Sequence, residues 1–470
     1  MDARPGYRLD TRGALGVVTG SMVGVGIFLA PAEMARAISA PGWFLAVWVL
    51  AALGAASGAA AYSALGTWRP RSGGDVVFLR EAFGDGVAFA AGQVQFFAIF
   101  CGSAAVIAAA LGQYQLASLT GWDLGVVLVD VPVLGGITWA RILGAAVVLG
   151  LTATQSRGLR VADRVQRALA LFPVLALSLL AIGTVVAALM GTLPPPTAAA
   201  APVVPSVGAL VTAWLAAHFA YSGWNAVIYL AGEVDAPERT LWRSMVGGTI
   251  AVAALYLLIC GAFLMGLGMG GLAEAGEAGT ALATRVAGPT AGRWMNGLIA
   301  IGLVGTTHAT LLGGARVAQV MAAHGELPAV FARTDNLHTP TPALWLQGAW
   351  TALLVLGAGA DALLSGVALA MVVIGTMTVL SLFVLRLRLG TSGPGTPLQL
   401  ALASVHLVVG LGIVAVEVHR AIDEGQASAL GGLGAMLLLV VVGSLLKRRR
   451  DAVRVGAHDA ASADVVQGPE

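Results

Sequence analysis

The sequence has little charge, a single lysine and few cysteines. Only 11% of its 470 residues are charged and 58% are hydrophobic, with a mean hydropathy of +0.86, whereas soluble domains carry roughly 25% charged residues. So few charges cannot cover a large apolar core, which excludes an ordinary soluble protein. Cys101 and Cys260 both fall inside apolar runs, so they indicate packing residues and no disulfide framework. The composition therefore indicates a membrane protein.

Motifs for catalysis, metal binding and nucleotide binding are also missing. The chain has no Gly-x-Ser-x-Gly, no His-Glu-x-x-His and no paired-cysteine metal motif. No Lys-Ser or Lys-Thr follows its glycine clusters, which argues against a phosphate loop. The basic run at 447–450 is best explained as a membrane orientation signal. We therefore expect no enzyme, no cofactor, no metal site and no nucleic-acid partner.

Long apolar segments are what the sequence does contain. A membrane-spanning helix needs about 20 mostly apolar residues. Twelve candidates are centred near residues 25, 55, 98, 147, 177, 219, 257, 306, 350, 375, 409 and 437. If the N-terminus is cytoplasmic, most of the 26 basic residues fall in cytoplasmic loops. We predict a multi-pass protein of the cell membrane with both termini in the cytoplasm.

Two of these segments have glycines at their centres. The first carries GSMVGVGIF, residues 20–28, and the sixth carries HFAYSGWN, residues 218–225. Unwound backbone survives at membrane depth only where protein, water or a ligand satisfies its amides and carbonyls. A broken helix offers free N–H groups that suit an anion and free carbonyls that suit a cation, which together suit a zwitterion. An equally good explanation of Gly16, Gly20 and Gly24 is a ridge of small residues for helix packing.

Four motifs, in order along the chain, resemble those of the amino acid/polyamine/organocation superfamily, and most closely its L-type amino acid transporter branch. The first is GSMVGVGIF, although Val25 stands where a small residue is usual. The others are RSGGDVVFLREAFG at 71–84, FAYSGWNAVIYLAGEVDAPERTL at 219–241 and GGARVAQVMAAHGELPAVFARTDNLHTPTPAL at 313–344. The sixth-segment motif is the strongest match.

The resemblance implies an all-α membrane protein of twelve transmembrane helices with a leucine-transporter-type five-plus-five inverted repeat and two C-terminal helices. The expected divisions are a tail at 1–12, a first repeat at 13–190, a second repeat at 206–388, the last two helices at 398–447 and a tail at 448–470. It also implies alternating access around a site in the middle of the membrane.

The resemblance also assigns substrate-binding roles. The N–H groups of Gly24, Val25 and Gly26 would hold the substrate α-carboxylate. The α-ammonium would bind to the carbonyls of Met22, Phe219, Ala220 and Ser222. Phe219 would also form an aromatic lid, and Trp224 and Asn225 would line the same cavity.

One departure from the family concerns the fifth helix, where relatives often carry a lysine that faces the first-helix break. Here RVQRALALFPVLAL, residues 164–177, offers Pro173, and no predicted span contains a lysine. A buried lysine would serve as a proton carrier because burial lowers its pKa. We therefore expect no proton coupling by that device, which leaves exchange, facilitated transport, sodium coupling or another carrier open.

Three further residues are candidates for gating or coupling. His218 and His308 are histidines deep inside predicted spans near the proposed site, where a titratable group is a functional suspect. The plainer interpretation of each is a neutral histidine hydrogen-bonded to a carbonyl. Glu233 lies near a helix C-terminus, where it needs a cation such as Arg71 or Arg316. It is either part of an inner gate or a solvated carboxylate at the membrane interface.

The sequence thus predicts a secondary-active transporter of small or neutral L-amino acids. Its expected partners are an amino-acid substrate, the lipid bilayer, and a coupling ion or an exchanged amino acid. The alternatives are a cationic amine or polyamine carrier, which would need carboxylates in the cavity, and a non-transporting amino-acid receptor or a channel-like protein of the same fold.

Overall fold

The computed structural model describes residues 9–71, 73–132, 135–157, 175–196, 203–335, 339–423 and 441–445. The first half contains α1 (Thr11–Met22), α2 (Gly26–Ala37), α3 (Pro41–Trp68), α4 (Asp75–Phe83), α5 (Asp85–Thr120), α6 (Trp139–Gln155) and α7 (Leu175–Leu189). The second half contains α8 (Val207–Ala220), α9 (Pro237–Gly266), α10 (Gly268–Glu274), α11 (Ala278–Ala323), α12 (Thr341–Gly357), α13 (Ala360–Leu389) and α14 (Pro397–Asp423).

Shorter elements complete the described chain. A two-stranded antiparallel hairpin, β1 (Val127–Val131) and β2 (Gly135–Thr138), connects α5 to α6. A 3₁₀ segment, Ala226–Glu233, follows α8, and two short 3₁₀ turns are Ala329–Ala332 and Gly390–Ser392. Within α5, the stretches Val94–Phe100 and Leu111–Leu116 are π-helical. The long helix α11 contains a kink at Gly288, which has φ +82° and precedes Pro289.

The apolar segments fold as helices, in agreement with the predicted class. Six described helices are long and apolar enough to cross a membrane, or seven if the bent pair α1 and α2 counts as one span. Three shorter apolar helices, α6, α7 and α8, also lie at predicted centres. The count of twelve and the inverted repeat remain predictions. Pro173 lies outside the described residues, as does most of the segment predicted near residue 437.

The interior is built around the broken segments. Helix α1 packs against α9, and α2 packs against α8, while α3 packs against α9 and α14. Trp48, Tyr62, Tyr221 and Tyr256 are among the largest fully buried side chains. Both cysteines are buried and free, as expected for packing residues. The packing brings the ends of α1, α2 and α8 together at one place.

Candidate functional site

The first break is residues 23–25, between α1 and α2. Helix α1 ends with the N–H of Val23 donating to the carbonyl of Thr19 at 3.0 Å, and α2 starts again at Gly26. The two helices are bent by 41° relative to each other. The predicted interruption at the glycines is therefore present, and it is followed by a regular α-helix whose first N–H groups lack partners in their own helix.

The second break is residues 221–225, after α8. Its centre is Gly223, with φ +103°, a conformation that favours glycine because it has no Cβ. The chain continues as the 3₁₀ segment Ala226–Glu233 and not as a second α-helix. The interruption agrees with the prediction, but the expected second half-helix does not form here. The backbone amides after this break are therefore arranged differently from those at the start of α2.

The two breaks touch each other through glycines. A Cβ added to Gly26 would overlap the Cα of Ala220, and one added to Gly223 would lie 2.6 Å from the carbonyl oxygen of Ser21. Each glycine thus lets backbone approach backbone at the point where the other segment is interrupted. The start of α2 contacts the end of α8, and the second break contacts the end of α1.

The alternative explanation, a ridge of packing glycines, fits the structure less well. Among the described residues, a Cβ on Gly16 or Gly20 would meet no atom within 4 Å. In the described part of the chain, the third glycine of the ridge, Gly24, is the one that faces a neighbour, since a Cβ added there would lie 3.2 Å from Thr306 Cγ2 of α11. The close contacts belong to Gly26 and Gly223 instead, at the breaks themselves.

Two of the four carbonyls expected to hold an ammonium point to one hydroxyl group. Tyr256 of α9 donates to Met22 O at 2.7 Å or to Ala220 O at 3.3 Å. A third carbonyl, Phe219 O, accepts from the N–H of Ser222 at 3.0 Å. Tyr256 was missed in the sequence because nothing near residue 256 marks it, and its partners are 234 and 36 residues away.

The remaining predicted lining residues lie close to the breaks. Phe219 is buried in the last turn of α8, and Asn225 is the residue before the 3₁₀ segment. Trp224 is buried with its ring edge-on to Tyr62 at 4.9 Å and to His406 at 6.2 Å. The indole of Trp224 therefore packs toward α3 and α14.

The two histidine candidates have different surroundings. His218 of α8 is buried and stacks on Trp214, with ring centroids 4.7 Å apart. His308 of α11 is buried, and its Nδ1 atom has no hydrogen-bond partner among the described residues. Its backbone carbonyl accepts from Gln155 Nε2 at 2.7 Å. For His308, the expected ring hydrogen bond to a carbonyl through Nδ1 is therefore not seen in the described part of the chain.

Glu233 takes part in a hydrogen bond through its backbone carbonyl. Its side chain is exposed, and no ion pair joins it to Arg71 or Arg316 in the described ranges. Its carbonyl accepts from the N–H of Leu9 at 2.8 Å, and the N–H of Asp235 donates to Leu9 O at 3.0 Å. This pairing joins the residues that lead into α1 to the end of the 3₁₀ segment.

A buried carboxylate was also missed by the sequence analysis. Asp75, the first residue of α4, is 1% exposed and accepts from three hydroxyl groups. The donors are Tyr62 of α3, Tyr229 of the 3₁₀ segment at 2.7 Å and Thr378 of α13 at 2.9 Å. We call these four residues the Asp75 cluster. The motif RSGGDVVFLREAFG contains Asp75, but the hydroxyl donors lie far away in the sequence.

Charged side chains occur near the ends of the helices. Arg80 of α4 pairs with Glu326 and, at 2.9 Å, with Asp85. In the last turn of α2, Arg36 pairs with Glu33 at 2.6 Å. No group of three or more His, Cys, Asp or Glu side chains that could hold a metal ion occurs in the part of the chain that the structure describes.

Comparison with known proteins relates this arrangement to a family. A family model described as amino acid permease matches residues 9–418. The large neutral amino acids transporter small subunit 2 of Oryctolagus cuniculus is 28% identical over 336 residues, which are 70% of this chain and 61% of that protein. The chain thus spans less than two thirds of the length of that relative.

Two further relatives cover more of the chain. The Asc-type amino acid transporter 1 of Mus musculus is 28% identical over 377 residues, 79% of this chain and 69% of that protein. The serine/threonine exchanger SteT of Bacillus subtilis (strain 168) is 28% identical over 387 residues, 80% of this chain and 82% of that protein. The family match at residues 9–418 includes both breaks.

Proposed function

The chain belongs to the amino acid permease family, and from this premise we propose that it is a secondary transporter of small or neutral L-amino acids that works by alternating access. Membership of the family makes it a multi-pass membrane transporter and not an enzyme. The proposal concerns the substrate, the mechanism and the site. We place both termini in the cytoplasm and the protein in the cell membrane.

The contact between the two breaks is the observation that supports the site. It brings the last carbonyls of α1 and α8, Met22 O and Ala220 O, to the same hydroxyl within 2.7 and 3.3 Å. Carbonyls at helix C-termini carry partial negative charge and suit an ammonium group. The N-terminus of α2, at Gly24, Val25 and Gly26, is next to them and suits a carboxylate. An α-amino acid has both groups on one carbon.

The surroundings of the breaks favour a neutral substrate. Residues 20–32 and 218–232 contain no Asp, Glu, Lys or Arg. A cationic amine carrier would need a carboxylate in the cavity, and the buried carboxylate of Asp75 already accepts from three hydroxyl groups. Such an occupied carboxylate is a poor partner for a substrate cation. Phe219, Ser222, Trp224 and Asn225 would then line a site that contacts the substrate without charge pairing.

For the energy source we propose exchange of one amino acid for another. One relative bears the name serine/threonine exchanger, and the family lysine is replaced in this sequence by Pro173. His308 remains the candidate for a pH-dependent step, with His218 and Glu233 as further candidates for coupling or gating. A step that depends on His308 predicts a transport rate that changes with pH. Exchange predicts a rate that is stimulated by substrate on the opposite side of the membrane.

Counterflow in proteoliposomes tests the proposal. The full chain is reconstituted, loaded with unlabelled L-serine and given labelled L-serine outside, with protein-free liposomes as the control. We expect uptake that is stimulated by internal serine, and inhibition by neutral amino acids but not by lysine or putrescine. Binding without uptake would indicate a receptor, and uptake without stimulation would indicate a channel.

Separate arms identify the coupling. The same assay is repeated with and without sodium and with an imposed pH gradient. Exchange predicts that neither changes the counterflow rate. A requirement for sodium would contradict exchange as the sole coupling. A response to the pH gradient would support a role of His308 in coupling. Inhibition by polyamines alone would show that the substrate is cationic and not neutral.

A further inference from the structure

The indole of Trp224 occupies a recess outside the two breaks, although Trp224 itself belongs to the second break. Tyr62 of α3 contacts it edge-on, with ring centroids 4.9 Å apart, and His406 of α14 does the same at 6.2 Å. The backbone of α3 at Gly58 closes the recess, since a Cβ added there would lie 2.9 Å from Trp224 Cη2. Trp224 is only 5% exposed, so its ring is closely packed against these neighbours.

Hydrogen bonds hold the two aromatic walls of the recess in place. The Nδ1–H of His406 donates to the carbonyl of Gly54, also on α3, at 2.8 Å. The hydroxyl of Tyr62 donates to Asp75, the carboxylate of the Asp75 cluster. Both rings are buried, and both extend from long helices. The recess therefore has a defined size, because buried rings that are packed and hydrogen-bonded shift little.

The recess depends on glycine at position 58. Gly58 is buried in the interior of α3, where a residue without a side chain lets neighbouring groups approach a membrane helix closely. An added Cβ would lie 2.9 Å from Trp224 Cη2 and 2.9 Å from both Cε1 and Nδ1 of His406. Such separations are too short for carbon and nitrogen atoms, so one of the two rings would have to move.

Trp224 is the ring that we expect to move when the recess is narrowed. His406 is held by its hydrogen bond, whereas Trp224 lies in the break itself, between helical segments. An indole that leaves the recess moves back toward its own backbone, where Phe219 and Ser222 line the proposed substrate site. The recess therefore determines how much room remains for the substrate side chain.

We propose that Gly58 is a specificity-determining position: by leaving space for the indole of Trp224 in the recess, it determines the largest amino-acid side chain that the substrate site accepts. This inference rests on the proposed function. It adds a position on α3, outside both breaks, to the selection of the substrate. A larger residue at position 58 would restrict the site to smaller neutral amino acids.

The test is Gly58→Ala in the reconstituted full chain. L-Serine counterflow is inhibited with glycine, L-alanine, L-threonine, L-leucine and L-phenylalanine, and an inhibition constant is measured for each amino acid that the unmodified chain binds. For the largest of these we expect the constant to rise about tenfold or more, because one excess methyl group in an apolar pocket has an effect of that size. For glycine and L-alanine we expect less than about a threefold change, since their side chains do not reach the indole.

Gly54→Ala is the matched control. Gly54 lies one turn before Gly58 on α3, and an added Cβ would lie 3.6 Å from Trp214 Cζ2, an ordinary van der Waals distance. The substitution keeps the carbonyl that accepts from His406. We expect its inhibition constants to equal those of the unmodified chain for every amino acid.

A second substitution tests whether the indole is the group that is displaced. Trp224→Phe removes the far end of the indole, including Cη2, and so leaves space for a methyl group on residue 58. We expect the double variant Gly58→Ala/Trp224→Phe to have the same inhibition constants as Trp224→Phe alone. Such non-additivity is what two groups that compete for one space produce.

Each other outcome contradicts the inference. Unchanged inhibition constants in Gly58→Ala would show that His406 moves instead, into the cavity that it lines together with His218 and Trp214. An equal loss for small and large amino acids would show that Gly58 serves helix packing alone, as would a Gly58→Ala chain that does not fold and is not restored by Trp224→Phe. The proposed function survives these results as long as the unmodified chain shows counterflow. An unmodified chain without counterflow would remove both proposals.

Discussion

The two breaks differ in how the chain continues after them. After the first break, α2 resumes at Gly26 as a regular helix of 12 residues. After the second break, residues 226–233 form a 3₁₀ segment, and Gly223 needs φ +103° to turn the chain. A 3₁₀ helix has poorer hydrogen-bond geometry than an α-helix and is less stable. The comparison teaches that the second break depends on a left-handed glycine and leads into a less stable 3₁₀ segment, whereas the first break needs no such conformation and leads directly into a regular α-helix.

The strongest test of this difference is Gly223→Ala. A side chain at φ +103° is strained by roughly 1–3 kcal/mol, and the added Cβ would lie 2.6 Å from Ser21 O. Both effects push the second break away from the end of α1. We expect L-serine counterflow to fall about a hundredfold or more. The control is Gly247→Ala in α9, where a Cβ would meet no atom of the described residues within 4 Å, and this variant should transport normally.

Gly26→Ala should have the next largest effect. Gly26 is helical, so alanine causes no backbone strain there, but its Cβ would overlap the backbone of Ala220. We expect counterflow to fall at least about tenfold, because the start of α2 must move away from α8. Gly20→Ala in α1 is the control, since its Cβ would meet no atom within 4 Å in the ranges that the structure describes. Normal transport by Gly26→Ala would show that the close contact between the start of α2 and the end of α8 is not needed for transport.

Asp75→Asn tests the outside support of the 3₁₀ segment. The carboxylate accepts from Tyr229 of that segment and from Tyr62 and Thr378 of α3 and α13. Asparagine replaces an acceptor oxygen by an N–H₂ donor, which leaves hydroxyl groups without acceptors. We expect a loss of about 2–3 kcal/mol in the free energy of unfolding, seen as a lower thermal unfolding midpoint in detergent.

The control for Asp75→Asn is Asp130→Asn. Asp130 is exposed in β1, where the same loss of charge should leave the unfolding midpoint unchanged. If the two variants unfold at the same temperature, the Asp75 cluster does not stabilise the 3₁₀ segment. In that case the second break would have to be supported by its own residues, and the comparison with the first break would fail.

Gly24→Ala should have the smallest effect and therefore sharpens the comparison. Gly24 has no positive φ, and among the described residues an added Cβ would contact the side chain of Thr306 alone, 3.2 Å from Cγ2 and 3.8 Å from Oγ1. A side-chain methyl group can shift by a few tenths of an ångström at low cost. We expect KM for L-serine to change by less than about threefold. A loss as large as that of Gly223→Ala would mean that both breaks depend equally on glycine.

The sequence predicts the positions of the breaks because glycines at the centre of apolar segments have a local physical meaning. Gly24, Gly26 and Gly223 all lie at or beside interruptions in the structure. The 3₁₀ geometry of AVIYLAGE was not predictable, since these apolar residues are compatible with several regular structures. It depends on contacts such as Tyr229 with Asp75, which are 154 residues apart.

The contacts that organise the site were likewise hidden from the sequence. Tyr256 and Met22 are 234 residues apart, and Thr378 and Asp75 are 303 apart. No periodicity or motif encodes such pairs. The sequence predicted twelve spans by hydropathy. Among the described residues, six or seven helices are long and apolar enough to cross a membrane, and three shorter apolar helices lie at further predicted centres, so the count of twelve stays a prediction.

The pairing of Leu9 with residues 233–235 has a mechanical consequence. Two backbone hydrogen bonds and the Thr11–Thr240 hydroxyl contact at 3.0 Å fasten the beginning of α1 to the end of the 3₁₀ segment and the start of α9. A rotation of α1 away from the bundle would pull the 3₁₀ segment with it as a single lever. The two broken segments would then move together at this end of the molecule, and not independently.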